Sequence, residues 1–295
     1  MLDTTVGSSP ARRPRKSLGQ HFLTDTRIAN RIVAAADPSP ADTIVEIGPG
    51  SGILTRRLVQ VAGQVVAVEL DPALAARLSE RIGNPDNLKV LPADGRTVEI
   101  SALFDDGGPY KLVANLPYYA ASPIVRRFLE AALHPTLLVV MVQREVAAAM
   151  CAPPGSMTLL SVATQFYAVP SVVTQVPARS FRPPPKVAST VVKLVMRDKP
   201  PADVDDTSEF FSLVRAGFAA PRKQLRNSLV QGSGCPAEIV SPVLEAAGID
   251  GQRRPATLTI PEWAALNTGW PQNTPRHRDL RPTAGSDGRR HHRTR

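Results

Sequence analysis

The chain has only two cysteines, Cys151 and Cys235, among 295 residues, and its five histidines form no ligand-spaced cluster with them. That excludes a CxxC-type structural metal site and suits a reducing, cytoplasmic setting, so no metal is expected. Long apolar runs are also missing. The run at residues 137–142 falls far short of the roughly 20 residues that a membrane helix needs, and residues 1–16 lack the apolar stretch of a secretory signal. Neither a membrane span nor a signal peptide is expected. What remains is ordinary globular material, 43% hydrophobic and 21% charged, with 29 prolines that suggest many rigid turns or proline-rich ends.

The net charge of +9 is concentrated at the ends. Residues 1–16 carry +3 and residues 271–295 carry +5, which leaves the stretch between them nearly neutral. A high pI is therefore weak evidence for nucleic acid binding, and any polyanion site on the folded part must be a local patch. The ends read as basic flexible tails.

Between the tails the pattern is a strand–helix alternation. Thr24 or Asp25 can cap a helix whose face includes Ile28 and Ile32. Residues 43–47, 65–69, 88–91, 112–114 and 137–142 read as strands, with helices over 53–61, from Asp71-Pro72, and from Ser122-Pro123 through Leu129. This is a βαβ series, and it predicts a parallel, doubly wound α/β sheet. After Val142 come helices near Glu145 and over 159–166, then two closing antiparallel strands at 172–176 and 189–195. A polar linker follows at 199–205, and Asp206 with Glu209 resembles a capping box that opens a smaller helical domain. Its further helices are expected at 225–230, 238–247 and 262–267.

Glu46-Ile47-Gly48-Pro49-Gly50-Ser51-Gly52 lies between a predicted strand and helix, where backbone N–H groups can approach a ligand closely. Glu69 ends the next strand, 21 residues after Gly48, and a carboxylate there can accept hydrogen bonds from two ribose hydroxyls. A dehydrogenase fingerprint reads GxGxxG. This loop reads GxGxG, the pattern of methyltransferases that use S-adenosylmethionine. A tight turn alone would use the same glycines, but Asp94 after the third strand adds an acceptor suited to the exocyclic amine of an adenine.

Asn115-Leu116-Pro117-Tyr118 follows the fourth strand, at the same edge of the sheet. Alkylation of an aromatic amine requires the nitrogen lone pair to be loosened from the ring. The Asn115 side-chain oxygen and the Leu116 carbonyl can encourage this by accepting both N–H bonds. Pro117 biases Leu116 toward an extended conformation, and Tyr118 can stack on an extruded base.

These segments together resemble the KsgA-type ribosomal RNA adenine dimethyltransferases, whose sister group is the Erm-type resistance enzymes. The resemblance covers residues 16–229, from Lys16-Ser17-Leu18-Gly19-Gln20-His21-Phe22-Leu23, through the glycine loop, Val68-Glu69-Leu70-Asp71 and the Asn115 tetrad. It continues with Val142-Gln143-Arg144-Glu145-Val146, Phe181-Arg182-Pro183-Pro184-Pro185-Lys186-Val187 and residues 218–229. It implies a Rossmann-like S-adenosylmethionine-dependent methyltransferase domain (17–198) and a helical RNA-substrate domain (199–270).

The implied reaction transfers four methyl groups to N6 of two adjacent adenosines near the 3′ end of small-subunit rRNA, in a pre-ribosomal particle, by a monomeric enzyme. By the same resemblance, Gln20, His21 and Leu23 close over the cofactor, Gly48 and Gly50 line its methionine part, Glu69 with Leu70 holds the ribose, Asp94 the adenine, and Asn115 the target amine. Lys186, Arg222, Lys223 and Arg226 are the implied RNA contacts. Two positions depart from the family pattern: Tyr119, where Asn is frequent, and Pro221, where a basic residue is common. An Erm-type reaction on large-subunit rRNA and a non-catalytic RNA-binding assembly factor are the alternatives.

Overall fold

A computed structural model describes residues 21–104 and 107–271. The chain divides into two units, one comprising residues up to Pro153 together with Leu160–Pro201, the other Pro154–Leu159 and the residues from Ala202 onward.

The first unit begins with a short strand, β1 (Phe22–Leu23), and the helix α1 (Thr26–Ala36), which Asp25 caps by accepting the N–H of Arg27. The alternation then runs β2 (Thr43–Ile47), α2 (Thr55–Leu58), β3 (Gln64–Glu69), α3 (Pro72–Ile82), β4 (Leu88–Pro92), β5 (Tyr110–Asn115), α4 (Ala121–Leu129) and β6 (Leu137–Gln143). It ends with α5 (Arg144–Met150), α6 (Leu159–Tyr167), β7 (Ala168–Val176), β8 (Phe181–Arg182) and β9 (Ser189–Met196). The main sheet has seven strands in the order β4-β3-β2-β5-β6-β9-β7. Strands β4 to β6 in that order pair in parallel, and β9 and β7 close the sheet antiparallel.

The apolar run of β6 is explained by burial on both faces. Leu138, Val140 and Val142 pack with Ile124, Val125 and Phe128 of α4, whereas Leu137, Val139 and Met141 join Ile28, Ile32 and Leu58 on the opposite side. A two-residue period thus feeds two separate cores from one strand.

Several local expectations need correction. The helix expected over 53–61 keeps regular geometry only in α2, because positive φ at Gly52 and mixed turn bonding after Leu58 interrupt it. Ser122 does not cap α4. The N-cap is Ala120, whose own N–H is donated to the Pro117 carbonyl, so the helix grows directly out of the tetrad's turn. The pairing of β1 with β8 was not expected at all; it joins residues about 160 positions apart.

The second unit contains α7 (Thr207–Gly217), α8 (Leu225–Ser233), α9 (Ala237–Ala246) and α10 (Ile260–Thr268). Asp206 caps α7 by accepting from Ser208 and Glu209, but the reciprocal capping box is at Thr259 and Glu262, before α10. Trp263 is fully buried against α7. A Cβ at position 217 would lie 2.3 Å from its ring, so the close approach of the two helices requires Gly217.

Candidate active site

In an open parallel sheet, ligands bind beyond the carboxyl ends of the strands where the strand order reverses. Here that point is between β2 and β5. The loop after β2, the ends of β3 and β4 and the tetrad after β5 all line one cleft there, of about 980 Å³ with its open mouth included.

The glycine loop forms the floor. Gly48 donates its N–H to the Val68 carbonyl, and Gly50 donates to Glu69 Oε2 at 3.0 Å. Both glycines have positive φ, a conformation most side chains avoid. The Phe22 ring covers Gly50, with two ring carbons about 3 Å from where a Cβ would stand. Phe22 was not singled out from sequence, because only the β1–β8 pairing brings it there.

Glu69 is buried, and its Oε1 accepts from the Asp71 N–H at 2.9 Å. Burial raises its pKa despite these bonds. Glu46, beneath the loop, is 1% exposed, and burial with the nearby Glu69 carboxyl pushes it up to about 8. Its Oε2 has no hydrogen-bond partner and belongs to the cleft lining. An orphaned buried oxygen of this kind calls for a donor, and a cationic amine is the group that would suit it best. Sequence gave Glu46 a place in the motif but no sign of this isolation.

Asp94 lies at the cleft but is already engaged. Arg96 Nε donates to Oδ1 and Oδ2 at 3.1 and 3.0 Å, and Nη2 to Oδ2 at 2.6 Å. These bonds hold the carboxyl below its usual range. Contact with an adenine amine must use the lone pairs left over.

Asn115 ends β5 half-exposed, with no side-chain hydrogen bond to any described residue. Leu116 is buried and leaves only its backbone for chemistry. The Tyr118 hydroxyl is 2.8 Å from Ser189 Oγ, and its ring centroid is 5.7 Å from that of His21. His21 Nδ1 is in turn 2.8 Å from the Pro183 carbonyl oxygen. Leu23 is 2% exposed and lines the same cleft. Gln20 and both basic tails lie outside the described residues.

The ribosomal RNA adenine dimethylase family model matches residues 11–266. The chain belongs to the ribosomal RNA adenine dimethylase family. It is accordingly an rRNA adenine dimethyltransferase that uses S-adenosylmethionine. Ribosomal RNA small subunit methyltransferase A of Dehalococcoides mccartyi is 44% identical over 88% of this chain and 90% of its own. The protein of the same description from Clostridioides difficile is 43% identical over 85% of this chain and 89% of its own. Among solved structures, the 23S rRNA methyltransferase ErmE is 30% identical, with a TM-score of 0.66 over 84% of this chain and 98% of its own. A dimethyladenosine transferase from Plasmodium falciparum, 24% identical, shares the fold with a TM-score of 0.72 over 83% of this chain and 96% of its own.

In this dimethylase the expected RNA-contacting residues are divided between the units. Lys186 is exposed on the first unit, just before β9. Arg222 and Lys223 lie in the turn before α8 and Arg226 on α8 itself, all exposed, with Lys223 bonded to Gln231 and Arg226 to Ser241.

Proposed function

We propose that this dimethylase acts on two adjacent adenosines in the 3′-terminal hairpin of small-subunit rRNA, placing two methyl groups on each N6. Relatives 43–44% identical to it carry the small-subunit description, while the likeness to the large-subunit enzyme ErmE, at 30%, is weaker. The observation that carries the chemical reading is the unbonded Asn115 carboxamide at the edge of the cleft floored by the glycine loop.

The residues present fit the methyl donor. Gly48 and Gly50 would line its methionine part, Gln20, His21 and Leu23 would close over it, Glu69 and Leu70 would hold its ribose and Asp94 its adenine, with the orphaned Glu46 Oε2 available to an amine. When bound, the donor supplies an activated methyl with its leaving group already attached.

The protein's part is positioning. Asn115 Oδ1 and the Leu116 carbonyl accept the two N–H bonds of the extruded adenine and turn the nitrogen lone pair out of conjugation. Pro117 stiffens the turn that holds them, and Tyr118, fixed through Ser189, offers its ring for the base. No strong base is required. Orientation of this kind can account for roughly 7–11 kcal/mol of a barrier in the best cases.

The first unit is the methyltransferase catalytic domain and the second the helical RNA-substrate domain, with Lys186, Arg222, Lys223 and Arg226 as phosphate contacts. The enzyme works as a cytoplasmic monomer on a pre-ribosomal particle. No helix among the described residues is long and apolar enough to cross a membrane.

The test is incubation with labelled S-adenosylmethionine and undermethylated ribosomal subunits of both sizes, followed by nuclease mapping and mass spectrometry. Dimethyladenosine at two adjacent small-subunit positions is expected. Label confined to large-subunit rRNA would transfer the assignment to the Erm-type reaction, and no label despite donor binding would favour an assembly role.

A further inference from the structure

The residue after the tetrad has no part in the chemistry described above. Among the large apolar side chains that are exposed in the described residues, Tyr119 is the only aromatic one, with half its surface open. It also lines the cleft, so its open surface lies at the rim rather than on a remote face. Its neighbour Tyr118 is committed inward by its bond to Ser189 and its approach to His21. Successive rings therefore serve different places, one inside the cleft and one at its mouth.

Tyr119 is not left to swing freely. The Arg96 guanidinium carbon stands 5.7 Å from its ring centroid, and Arg96 is itself held by its bonds to Asp94. The guanidinium and the phenol ring thus form a preassembled pair, anchored through Asp94 to the end of the β4 segment. Flat cationic pairs of this kind are well suited to stack on nucleobases. A base lifted into the cleft loses a stacking partner in its own strand. The neighbouring base loses one as well.

We propose that Tyr119 and Arg96 form a stacking shelf for the nucleotide adjacent to the target adenosine, so that the pair contributes to choosing which adenosine enters the cleft. The inference rests on the rRNA reading above and assigns the site of the flanking base within it. The ligand class is a purine in single-stranded or locally opened RNA. Loss of the ring should weaken RNA binding about tenfold, toward the lower end of the range for one base–aromatic stack.

The test compares small subunits reconstituted with undermethylated rRNA that carries either the natural purine or an abasic nucleotide beside the target, using the full chain, Tyr119→Ala and Tyr119→Phe. Equilibrium binding of the particle, KM and kcat for the particle, and S-adenosylmethionine affinity are measured for each. Tyr119→Ala is expected to raise Kd and KM about tenfold on the natural substrate, with donor affinity intact, and to show no such penalty on the abasic one. Tyr119→Phe, which keeps the ring, is expected to restore the discrimination between the two substrates. An equal loss on both substrates, or no loss on either, overturns the shelf while leaving the rRNA assignment standing. If the unaltered protein places no methyl groups on the natural small subunit, the assignment itself falls and the shelf with it.

Discussion

Replacing Glu46 by Gln tests whether the floor of the cleft holds a protonated acid. The side chain is 1% exposed, and burial, reinforced by Glu69, pushes its pKa from an ordinary 4.5 to about 8. A carboxyl whose folded pKa lies above its unfolded one binds more protons when folded. Its contribution to stability is therefore complete below about pH 4.5 and is lost as pH rises through about 8. At about 1.4 kcal/mol per tenfold, the loss between pH 5 and pH 8 is about 3–4 kcal/mol. Glu69 titrates in the same sense and remains in the variant, so the difference between the two proteins reports Glu46 and its coupling to Glu69.

Both tryptophans, Trp263 and Trp270, lie in the second unit, so fluorescence would follow the wrong part of the chain. Hydrogen exchange of the β2 and β3 amides, corrected for intrinsic rates, reads the first unit directly. The stability of the unaltered protein should fall with pH more steeply than that of Glu46→Gln, by about 3–4 kcal/mol over that interval. Parallel pH profiles would show that Glu46 is ionised in the folded state and that the burial argument is wrong.

The same protonation state makes donor binding proton-linked: calorimetry of S-adenosylmethionine binding near pH 7 in buffers of different ionisation enthalpy should show proton release that Glu46→Gln abolishes. Asn115→Ala should retain donor affinity and lower the single-turnover methylation rate roughly a hundredfold, in line with removal of one positioned polar group; an unchanged rate would remove the role given to the carboxamide. Gly50→Ala puts a Cβ about 3 Å from the Phe22 ring on a residue with φ of 55°, and should cost about 1–3 kcal/mol in cleft stability by the same exchange measurement. Glu262→Ala removes the α10 capping box and the Arg253 ion pair that holds Glu262 down to about 2. Because both partners are about a third exposed, the expected cost is only about 1–2 kcal/mol at neutral pH. That cost is read by Trp263 fluorescence and fades as pH falls through about 2.

The lining of the candidate cleft was largely legible because many of its parts are local signals at strand ends. Gly48, Glu69, Asp94 and Asn115 were singled out by their places at strand ends and their chemistry, and a parallel sheet necessarily gathers successive carboxyl ends along one edge. The parts that stayed hidden depend on contacts between distant segments. Phe22 covers Gly50 only because β1 pairs with β8. Nothing in the sequence of Asp94-Gly95-Arg96 indicated that Arg96 would fold back onto the carboxylate and over Tyr119. Ser122-Pro123 looked like a helix start, but the turn bonding of Pro117 to Ala120 set the boundary earlier.

The sequence by itself determined the alternation of elements, the order of the ligand-bearing strand ends and the apolar strand buried on both faces, since these follow from residue periodicity and short-range caps. The tertiary structure alone decided which carboxyls burial pushes upward, which oxygens are left unpaired and which rings stand open at the rim. Those properties depend on the solvent that packing removes and on the partners it brings from far along the chain, and no local pattern of residues encodes either.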